Sequence, residues 1–328
     1  MSILEIKNLT VTFHTKDKIT RAVNNISLSV EEQDSIGIVG ESGSGKSTLA
    51  MAILQLLPKR IARIEGEVIL DGKHLFQCTD EQIRKIRWRD LAVVFQKSMN
   101  ALSPVHKIGT QMSDIYRIHE SKISKKRLKE KIISLLEMVN LPSRVYDLYP
   151  HELSGGMMQR VSIALSLMHN PKLLILDEAT TALDVVTQGQ ILSEIKELEK
   201  ELNLTRIMIT HDMSVVASAC KKVAVMYAGN ILEFGYVKDV LVNPLHPYTQ
   251  GLLKSIPTFK GEKKNIRGIP GALPDLSVPV QGCIFAGRCE FATDICYQVK
   301  PTEELLSGNH RVACHLVGGM EHANVNHS

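Results

Sequence analysis

A glycine-rich segment follows the apolar run SIGIV near residue 40. This segment, GESGSGKST, spans Gly40 to Thr48 and precedes an apolar stretch of helical period. Glycines let a backbone wrap so that successive N–H groups point at an anion, and a lysine adds positive charge. The pattern G-x-x-x-x-G-K-S between a strand and a helix is typical of a site for nucleotide phosphates. The candidate ligands are Gly40, Ser42, Gly43, Ser44, Gly45, Lys46, Ser47 and Thr48.

A hydroxyl and two carboxylates are candidates for the chemistry at these phosphates. The Ser47 hydroxyl is a typical ligand for Mg²⁺ beside bound phosphates. Farther along, the apolar run LLILDE ends in Asp177 and Glu178. Asp177 is placed to hold Mg²⁺, usually through water, and Glu178 to polarise the attacking water as a general base. Paired acids after a strand also cap helices, but capping needs no second carboxylate. The pattern favours hydrolysis of a phosphate bond.

The eight residues LSGGMMQR, Leu153 to Arg160, open an apolar helical period. Ser154, Gly155 and Gly156 place a hydroxyl and unhindered N–H groups at a helix N-terminus, where the helix dipole favours an anion. The alternative is an ordinary serine cap followed by a flexible glycine pair. Because the chain already carries a phosphate loop and a carboxylate pair, we favour a second contact to phosphate.

Two further polar residues follow strand-like runs. Gln96 ends LAVVFQ, where its amide can touch both Mg²⁺ and the attacking water. His211 follows RIMIT, where its imidazole can hydrogen-bond the γ-phosphate. A histidine after a strand is often without function, but this strand is the next one after the carboxylates. The sequence therefore predicts catalytic roles for Gln96, Glu178 and His211.

Phe13 and Arg60 are the candidates for contact with a nucleotide base. Stacking on a base requires a flat face, which Phe13 supplies. The alternative for Phe13 is a structural place at a sheet edge. Arg60 is expected near the base or ribose.

Four of the six cysteines crowd into the last fifty residues. Cys283, Cys289, Cys296 and Cys314 have the spacing C-x5-C-x6-C-x17-C. In a reducing compartment such crowding indicates metal binding before disulfides. Zinc sites favour cysteines two to four residues apart, so this spacing suits Zn²⁺ poorly, whereas four thiolates meet the requirement of a [4Fe–4S] cluster. Zn²⁺, free thiols and a redox disulfide remain the alternatives.

The elements that position these residues have an α/β pattern. Strand-like runs alternate with helical periods, and SIGIV, KLLIL and RIMIT are apolar enough to be buried on both faces. AGN after residue 227 indicates a hairpin. Prolines and glycines cluster over 243–279, which predicts a mostly irregular linker. Strands are predicted at Ile3–Lys7, Ile26–Val30, Ser35–Val39, Val68–Leu70, Leu91–Phe95, Leu173–Leu176, Arg206–Thr210, Lys222–Tyr227 and Asn230–Phe234, and helices at Lys46–Leu57, Lys125–Val139, Gly156–Met168 and Gln188–Leu202.

Composition excludes several classes of protein. The chain has 328 residues, 44% of them apolar and 23% charged, with a net charge of +4. That balance fits neither a disordered chain nor a nucleic-acid binder driven by bulk charge, and the single tryptophan, Trp88, argues against base-stacking platforms. No apolar run approaches the ~18–20 residues of a membrane span, and the N-terminus lacks the layout of a signal peptide. We expect a cytosolic chain whose membrane role needs a partner.

Taken together, these motifs resemble the ATP-binding subunit of an ABC transporter over about Ile3 to Phe234. The order is phosphate loop, glutamine strand, signature, carboxylate strand and histidine. Two residues depart from the family pattern. Ala179 stands where proline usually follows Asp-Glu, and Met157-Met158 where Met-Arg is usual. Neither change removes a phosphate donor or a carboxylate.

The resemblance implies a P-loop NTPase fold in which an ABC-type RecA-like core carries an antiparallel β subdomain and an inserted helical subdomain. It also identifies Ala182-Leu183-Asp184 as the D-loop, which adds Asp184 to the ATP-binding residues. Two such subunits face head to tail, so that each ATP lies between one phosphate loop and the signature of the other subunit. The implied cofactors of the active dimer are ATP and Mg²⁺.

The C-terminal motifs HPYT, GALPDL and GCIFAGRC are similar to those of dipeptide and oligopeptide importer ATPases. This likeness implies a nucleotide-binding domain over 1–236 with its helical subdomain at about 97–170, then a small irregular metal-binding extension over 237–328 holding a [4Fe–4S] cluster. The implied partners are a second ATPase subunit, transmembrane permease subunits and an extracytoplasmic solute-binding protein, without nucleic acid. The implied location is the cytoplasmic face of the membrane. The alternatives are a non-transport ABC ATPase in repair or at the ribosome, and an importer of another small solute.

Overall fold

The computed structural model describes residues 1–95, 102–181, 183–255 and 268–317. The chain forms two compact units, each built from several chain segments. The first unit comprises Met1–Leu4, Ser29–Asp34 and Ile69–Met208. The second comprises Glu5–Leu28, Ser35–Val68 and Ile209–Ser328.

The described residues contain strands and helices in alternation, as the pattern of apolar runs predicts. The strands are β1 (Ser2–His14), β2 (Ile19–Glu31), β3 (Ser35–Val39), β4 (Ala62–Leu70), β5 (Lys73–His74), β6 (Leu91–Phe95), β7 (Leu173–Asp177), β8 (Thr205–Thr210), β9 (Lys222–Tyr227), β10 (Asn230–Tyr236), β11 (Glu304–Leu305) and β12 (Arg311–Val312). The helices are α1 (Lys46–Ile53), α2 (Asp80–Ile86), α3 (Ile108–His119), α4 (Lys125–Met138), α5 (Gly155–Leu167), α6 (Val185–Leu202), α7 (Met213–Ala219), α8 (Val237–Val242), α9 (Pro247–Lys254) and α10 (Asp294–Gln298).

One sheet has the strand order β2-β1-β4-β5. Along β2, Ile26, Leu28 and Val30 are buried while the residues between them are exposed. This alternation is the mark of a strand with one face on the core. The sequence located only short parts of β1, β2 and β4, because the remainder of each strand carries mixed polar residues.

In the first unit, β8, β7 and β6 lie side by side in that order. β6 and β7 are parallel, and their last residues, Phe95 and Asp177, are paired. Every residue of β7 is buried, as expected for a central parallel strand. Helices α3, α4 and α5 pack together beside β6. This register places Asp177, at the end of β7, beside Phe95 at the end of β6.

In the second unit the strand order is β11-β12-β10-β9-β3. β3 runs parallel to β9, and β9 and β10 form an antiparallel hairpin. Ala228 and Gly229 form its two-residue loop, with φ of 46° and 80°. Two positive φ values in succession are those of a type I′ turn, so the hairpin expected from AGN is confirmed.

The C-terminal segment is tied to β10 by a buried carboxylate. Glu233 is fully buried and accepts hydrogen bonds from the backbone N–H groups of Leu245 and His246 at 2.9 and 3.0 Å. His310 Nε2 lies 2.7 Å from Glu233 Oε1, and Val312 pairs with Glu233 in the sheet. The prediction of a mostly irregular segment after residue 243 was incomplete, because α9 lies within it and α10, β11 and β12 follow.

The helix predictions were right in position and wrong at several ends. α1 stops at Ile53 and not at Leu57, and α6 begins at Val185, three residues before the expected start. α2 and α3 were missed although α2 carries a capping box at Thr79. α7, α8, α9 and α10 are too short for a helical period to stand out.

A histidine between α5 and β7 packs against two other rings. The His169 ring stacks on Tyr116 at 4.6 Å between centroids and meets His119 edge-on at 4.9 Å. Burial, together with the charge of His119, lowers the pKa of His169 from 6.5 to about 4. The folded chain therefore resists a proton that the unfolded chain accepts.

We predict that the free energy of unfolding falls as the pH drops from about 6.5 to about 4, and that His169→Phe makes this fall smaller. Phenylalanine keeps the stack on Tyr116 without the titrating group. Urea unfolding at closely spaced pH values measures the slope, with His74→Asn as the exposed histidine control. An unchanged slope in His169→Phe contradicts the assignment.

Candidate functional site

The glycine-rich segment forms a tight loop between β3 and α1 in the second unit. α1 begins at Lys46, and Gly45 at its N-terminus has φ of 99°. A Cβ on Gly45 would overlap the carbonyl oxygen of Ala22, and one on Gly40 the carbonyl oxygen of Met226. Side chains are therefore excluded by neighbouring backbone as well as by the left-handed turn. The predicted strand–loop–helix setting is confirmed.

The loop closes around the ammonium group of Lys46. Lys46 is 4% exposed, and its Nζ donates to the carbonyl oxygens of Gly40 and Glu41, at 2.8 Å each, and lies 3.2 Å from Ser44 Oγ. Ser44 is fully buried, whereas Ser42 and Ser47 are exposed. The loop thus holds a positive charge at its centre and presents hydroxyl groups at its surface.

The candidate base contacts lie in the same unit as the loop. Phe13 is half-buried near the end of β1, and Arg60 is exposed. The residues that follow them in the chain are hydrogen-bonded to each other: the N–H of His14 donates to the carbonyl oxygen of Ile61 at 2.7 Å. The structure therefore brings the backbone at these two positions together.

His211 lies between β8 and α7 in the second unit, with its side chain exposed. The next residue, Asp212, caps α7 by accepting from the N–H of Ser214 at 2.8 Å. Capping by Asp212 fixes the turn that presents His211.

The carboxylate pair lies in the first unit at the end of β7. Asp177 is 6% exposed, and Glu178, half-buried, has a left-handed backbone with φ of 49°. Thr181 closes the turn by donating its N–H and hydroxyl to the carbonyl oxygen of Glu178 at 3.3 and 3.0 Å. A positive φ in a residue other than glycine costs about 1–3 kcal/mol and is typical of functional sites. Gln96, which the sequence predicts to contact Mg²⁺ and the attacking water, lies outside the described residues.

The signature segment begins helix α5 in the first unit. Ser154 is exposed and caps the helix, with its Oγ accepting from the N–H of Met157 at 3.3 Å. A Cβ on Gly156 would come within 2.9 Å of Thr187 Cγ2, so this glycine lets α5 approach the start of α6. The serine is a helix cap, as one of the two interpretations predicts, and a helix N-terminus of this kind is also a position where an anion can bind.

Asp184 caps α6 beside the signature segment. Its carboxylate accepts from the N–H groups of Val186 and Thr187 at 3.1 and 3.0 Å and from the Thr187 hydroxyl at 2.7 Å. These hydrogen bonds from Thr187 lower the pKa of Asp184. Farther along the same helices, Arg160 binds Glu194 with two hydrogen bonds of 2.9 and 2.8 Å. The cap and this ion pair hold the start of α5 and the start of α6 in one arrangement.

The four C-terminal cysteines lie together in the second unit. Cys283, Cys296 and Cys314 are buried and Cys289 half-buried, and none of the four is in a disulfide. Burial raises the pKa of Cys283 and Cys289 and raises that of Cys314 to about 11, and the charges of the other cysteines act in the same direction. Among the residues that the structure describes, no group of three or more His, Cys, Asp or Glu side chains is arranged to hold a metal ion.

Two family descriptions match this chain. Residues 23–181 match the family described as ABC transporter, and residues 232–296 match that described as oligopeptide/dipeptide transporter, C-terminal region. The oligopeptide transport ATP-binding protein OppD of Escherichia coli is 42% identical over 315 residues, which cover 95% of this chain and 93% of OppD.

The chain belongs to the ABC transporter family. The dipeptide transport ATP-binding protein DppD of Caldanaerobacter subterraneus subsp. tengcongensis is also 42% identical, over 96% of this chain and 97% of DppD. A solved structure entitled as the dimeric, post-hydrolysis state of the ATP-binding cassette MJ0796 bound to ADP and Pi matches with a TM-score of 0.64 and 29% identity, over 71% of this chain and 98% of that one. The ABC fold inferred from the motifs is confirmed.

Within the described segments, we find no helix with both the length and the apolar character needed to cross a membrane.

Two residues that contact the phosphate loop were not assigned a role from the sequence. Arg288 binds the Glu41 carboxylate, and Tyr248 accepts a hydrogen bond from the Glu41 N–H. Tyr248 and Arg288 belong to the motifs HPYT and GRC, whose chemistry the sequence alone does not reveal. Only the folded chain brings them to the loop.

Proposed function

We propose that this chain is the ATP-hydrolysing subunit that powers the import of dipeptides or oligopeptides through a membrane ABC transporter. The observation that carries the proposal is the phosphate loop closed around buried Lys46, in a chain whose C-terminal region matches the oligopeptide/dipeptide transporter description. The OppD and DppD relatives, aligned over nearly their full lengths, are named as oligopeptide and dipeptide transport ATP-binding proteins.

The phosphate loop binds the triphosphate of ATP in this proposal. The backbone N–H groups of the loop surround the phosphates, and Lys46 gives its ammonium charge to the β- and γ-phosphates. Because Nζ already donates to three loop oxygens, ATP exchanges a preformed set of hydrogen bonds for phosphate contacts. Phe13 and Arg60 take the adenine and ribose.

Hydrolysis needs a metal ion, a base and a sensor of the γ-phosphate. Ser47, Gln96 and Asp177 would hold Mg²⁺, which neutralises charge that develops on the phosphates. The hydroxyl of Ser47 is exposed and the Asp177 carboxylate ends a buried strand, so both offer the oxygen donors that Mg²⁺ prefers. Glu178 polarises the attacking water, and His211 donates a hydrogen bond to the γ-phosphate.

The signature acts on ATP held by a second ATPase subunit. Ser154, Gly155 and Gly156 offer a helix N-terminus to that phosphate, and Asp184 holds the neighbouring helix start. Exposed Val185 and Val186, at 83% and 71%, adjoin this surface and are suited to burial in a dimer. The MJ0796 cassette is described as a dimer bound to ADP and Pi. The second subunit is an identical or a homologous ATPase.

The remaining partners follow from the proposed transport. Permease subunits span the membrane and receive the helical region, and a solute-binding protein delivers the peptide from outside. The chain then sits on the cytoplasmic face as a peripheral subunit. In this proposal the nucleotide-binding domain spans 1–236, with its helical subdomain at about 97–170, and the C-terminal extension spans 237–328.

We further propose that Cys283, Cys289, Cys296 and Cys314 hold a [4Fe–4S] cluster, with Zn²⁺ as the alternative. The donor type fits, because thiols are the ligands that iron–sulfur clusters use. Cys283, Cys289 and Cys296 belong to one apolar cluster and Cys314 to a second one, and the charges of the first three act on the pKa of Cys314. Burial raises the pKa of Cys283, Cys289 and Cys314, whereas hydrogen bonding to the backbone at Phe285, Phe291 and Leu316 acts in the opposite direction. This second effect favours the thiolates that iron requires.

For the base, we predict that Glu178→Gln binds ATP as the unaltered chain does and hydrolyses it at least about a hundredfold more slowly. The amide keeps the shape and loses the proton acceptor. Phosphate release by the assembled dimer measures turnover, and Glu81→Gln, an exposed carboxylate on α2, is the control. Near-normal turnover in Glu178→Gln rules out its role as general base.

For the loop, we predict that Lys46→Ala weakens nucleotide binding itself, by about tenfold or more, because the triphosphate loses its main cationic partner. Titration of the chain with a fluorescent ATP analogue measures this. Lys85→Ala removes an exposed lysine of α2 and should leave the affinity unchanged. Equal affinities for the two variants contradict the assigned site.

For the cysteines, we predict that anaerobically purified protein is coloured and contains about four iron atoms per chain. Cys296→Ser should lose the colour and the iron, while Cys78→Ser, whose cysteine lies outside the group, should keep both. The visible spectrum and metal analysis decide the question. A colourless protein with stoichiometric zinc replaces the iron–sulfur assignment with zinc.

A further inference from the structure

Arg288 of the cysteine-bearing segment makes a two-pronged ion pair with the phosphate loop. Its Nη1 donates to Glu41 Oε2 at 2.8 Å and its Nη2 to Glu41 Oε1 at 3.1 Å. The Arg288 side chain is 8% exposed and that of Glu41 is 29% exposed. A paired, bidentate and largely buried contact of this kind is among the stronger polar interactions in proteins. Glu41 is the residue that follows the first glycine of the loop.

The other donors of Arg288 anchor it to its own segment. Nε donates to the carbonyl oxygen of Pro270 at 2.7 Å and Nη2 to that of Ile269 at 3.0 Å. Nη1 also lies 3.4 Å from the Tyr227 hydroxyl, and the guanidinium sits over the Tyr227 ring at 5.6 Å. A guanidinium has five N–H donors, and the fork is held from several sides. Its orientation toward Glu41 is therefore fixed before any ligand binds.

Glu41 is held at its backbone as well as at its side chain. Its N–H donates to the hydroxyl of fully buried Tyr248 at 2.9 Å. Its carbonyl oxygen accepts from Lys46 Nζ at 2.8 Å. The same residue thus contacts the C-terminal segment through Tyr248 and Arg288, and contacts the lysine of the loop directly.

A carboxylate in a loop that binds a triphosphate is a like charge beside the ligand. Unpaired, it would oppose ATP, and the low dielectric of a part-buried site would strengthen that repulsion. Arg288 neutralises this charge and fixes the position of the carboxylate. The arrangement explains how a phosphate loop can carry an acid without losing its positive character.

We propose that Arg288 is a positioning residue for the phosphate loop, which neutralises and fixes Glu41 and so makes ATP affinity depend on the C-terminal segment. This inference rests on the proposed function of the loop. It adds Arg288, which lies 247 residues after Glu41 in the chain, to the residues that determine nucleotide binding.

The test is a set of three variants, Arg288→Gln, Glu41→Gln and the double variant, titrated as full chains with a fluorescent ATP analogue. Arg288→Gln should raise the Kd about tenfold, the factor that corresponds to about 1.4 kcal/mol. The Glu41→Gln variant should bind at least as tightly as the unaltered chain. The double variant should return to within about threefold of it, because the unpaired charge is gone.

Salt and turnover separate this role from a merely structural one. The defect of Arg288→Gln should shrink in high salt, since screening weakens the repulsion. In the assembled dimer the defect should appear in KM for MgATP and leave kcat within about twofold. Arg288→Lys should recover part of the affinity, as it keeps the charge without the fork. Arg311→Gln is the matched control, because Arg311 pairs with exposed Glu303 in the same segment.

Each result bears on the inference. If Arg288→Gln leaves Kd unchanged while Lys46→Ala weakens binding, the positioning role is wrong and the proposed ATP site stands. If Lys46→Ala also leaves Kd unchanged, the proposed site itself fails. If the defect persists in the double variant, Arg288 acts through packing and not through Glu41, and the inference is overturned. If Arg288→Gln does not fold, the double variant is the deciding measurement, because it buries no unpaired charge. Near-normal ATP affinity of the double variant supports the inference, and weakened affinity overturns it.

Discussion

The phosphate loop leaves no room for side chains at its turning points, and the second unit is arranged around that constraint. Gly40 backs onto the carbonyl oxygen of Met226 on β9, and Gly45 onto that of Ala22 on β2. Two elements from different sheets therefore support the loop from behind, and the backbone closes in front of them around Lys46. A lysine that is 4% exposed is tolerated only because its ammonium finds loop oxygens to bind.

Two carboxylates, one fully buried and one partly buried, tie the C-terminal segment to this core. Glu233 gathers two backbone N–H groups and His310, and Glu41 receives the fork of Arg288. The segment has little apolar core of its own, so directional polar bonds specify where it lies. Burying charges contributes little net stability, but removing one partner is costly, which makes such pairs good determinants of a unique arrangement. The segment that bears the four cysteines is thereby in direct contact with the glycine-rich loop.

Capping explains how the two helices of the first unit present their N-termini. Ser154 caps α5, Asp184 caps α6, and Gly156 allows the two helix starts to meet at Thr187. The Arg160–Glu194 pair, with side chains 15% and 14% exposed, joins the two helices farther along. A rigid N-terminus favours anion binding because its N–H groups need no reordering. The left-handed backbone of Glu178 is likewise held in place by the surrounding fold.

The sequence by itself determined the features that depend on local chain chemistry. These are the glycine loop before α1, the buried runs of β3 and β7, the type I′ hairpin at Ala228-Gly229, and the serine that opens α5. Each follows from backbone angles or burial of neighbouring residues, which short patterns encode. The tertiary structure alone decided the contact of Arg288 with Glu41, the pairing of Glu233 with His310, the approach of Gly156 to Thr187 and the left-handed backbone at Glu178. These depend on parts of the chain that meet only after folding, and no local pattern specifies such partners.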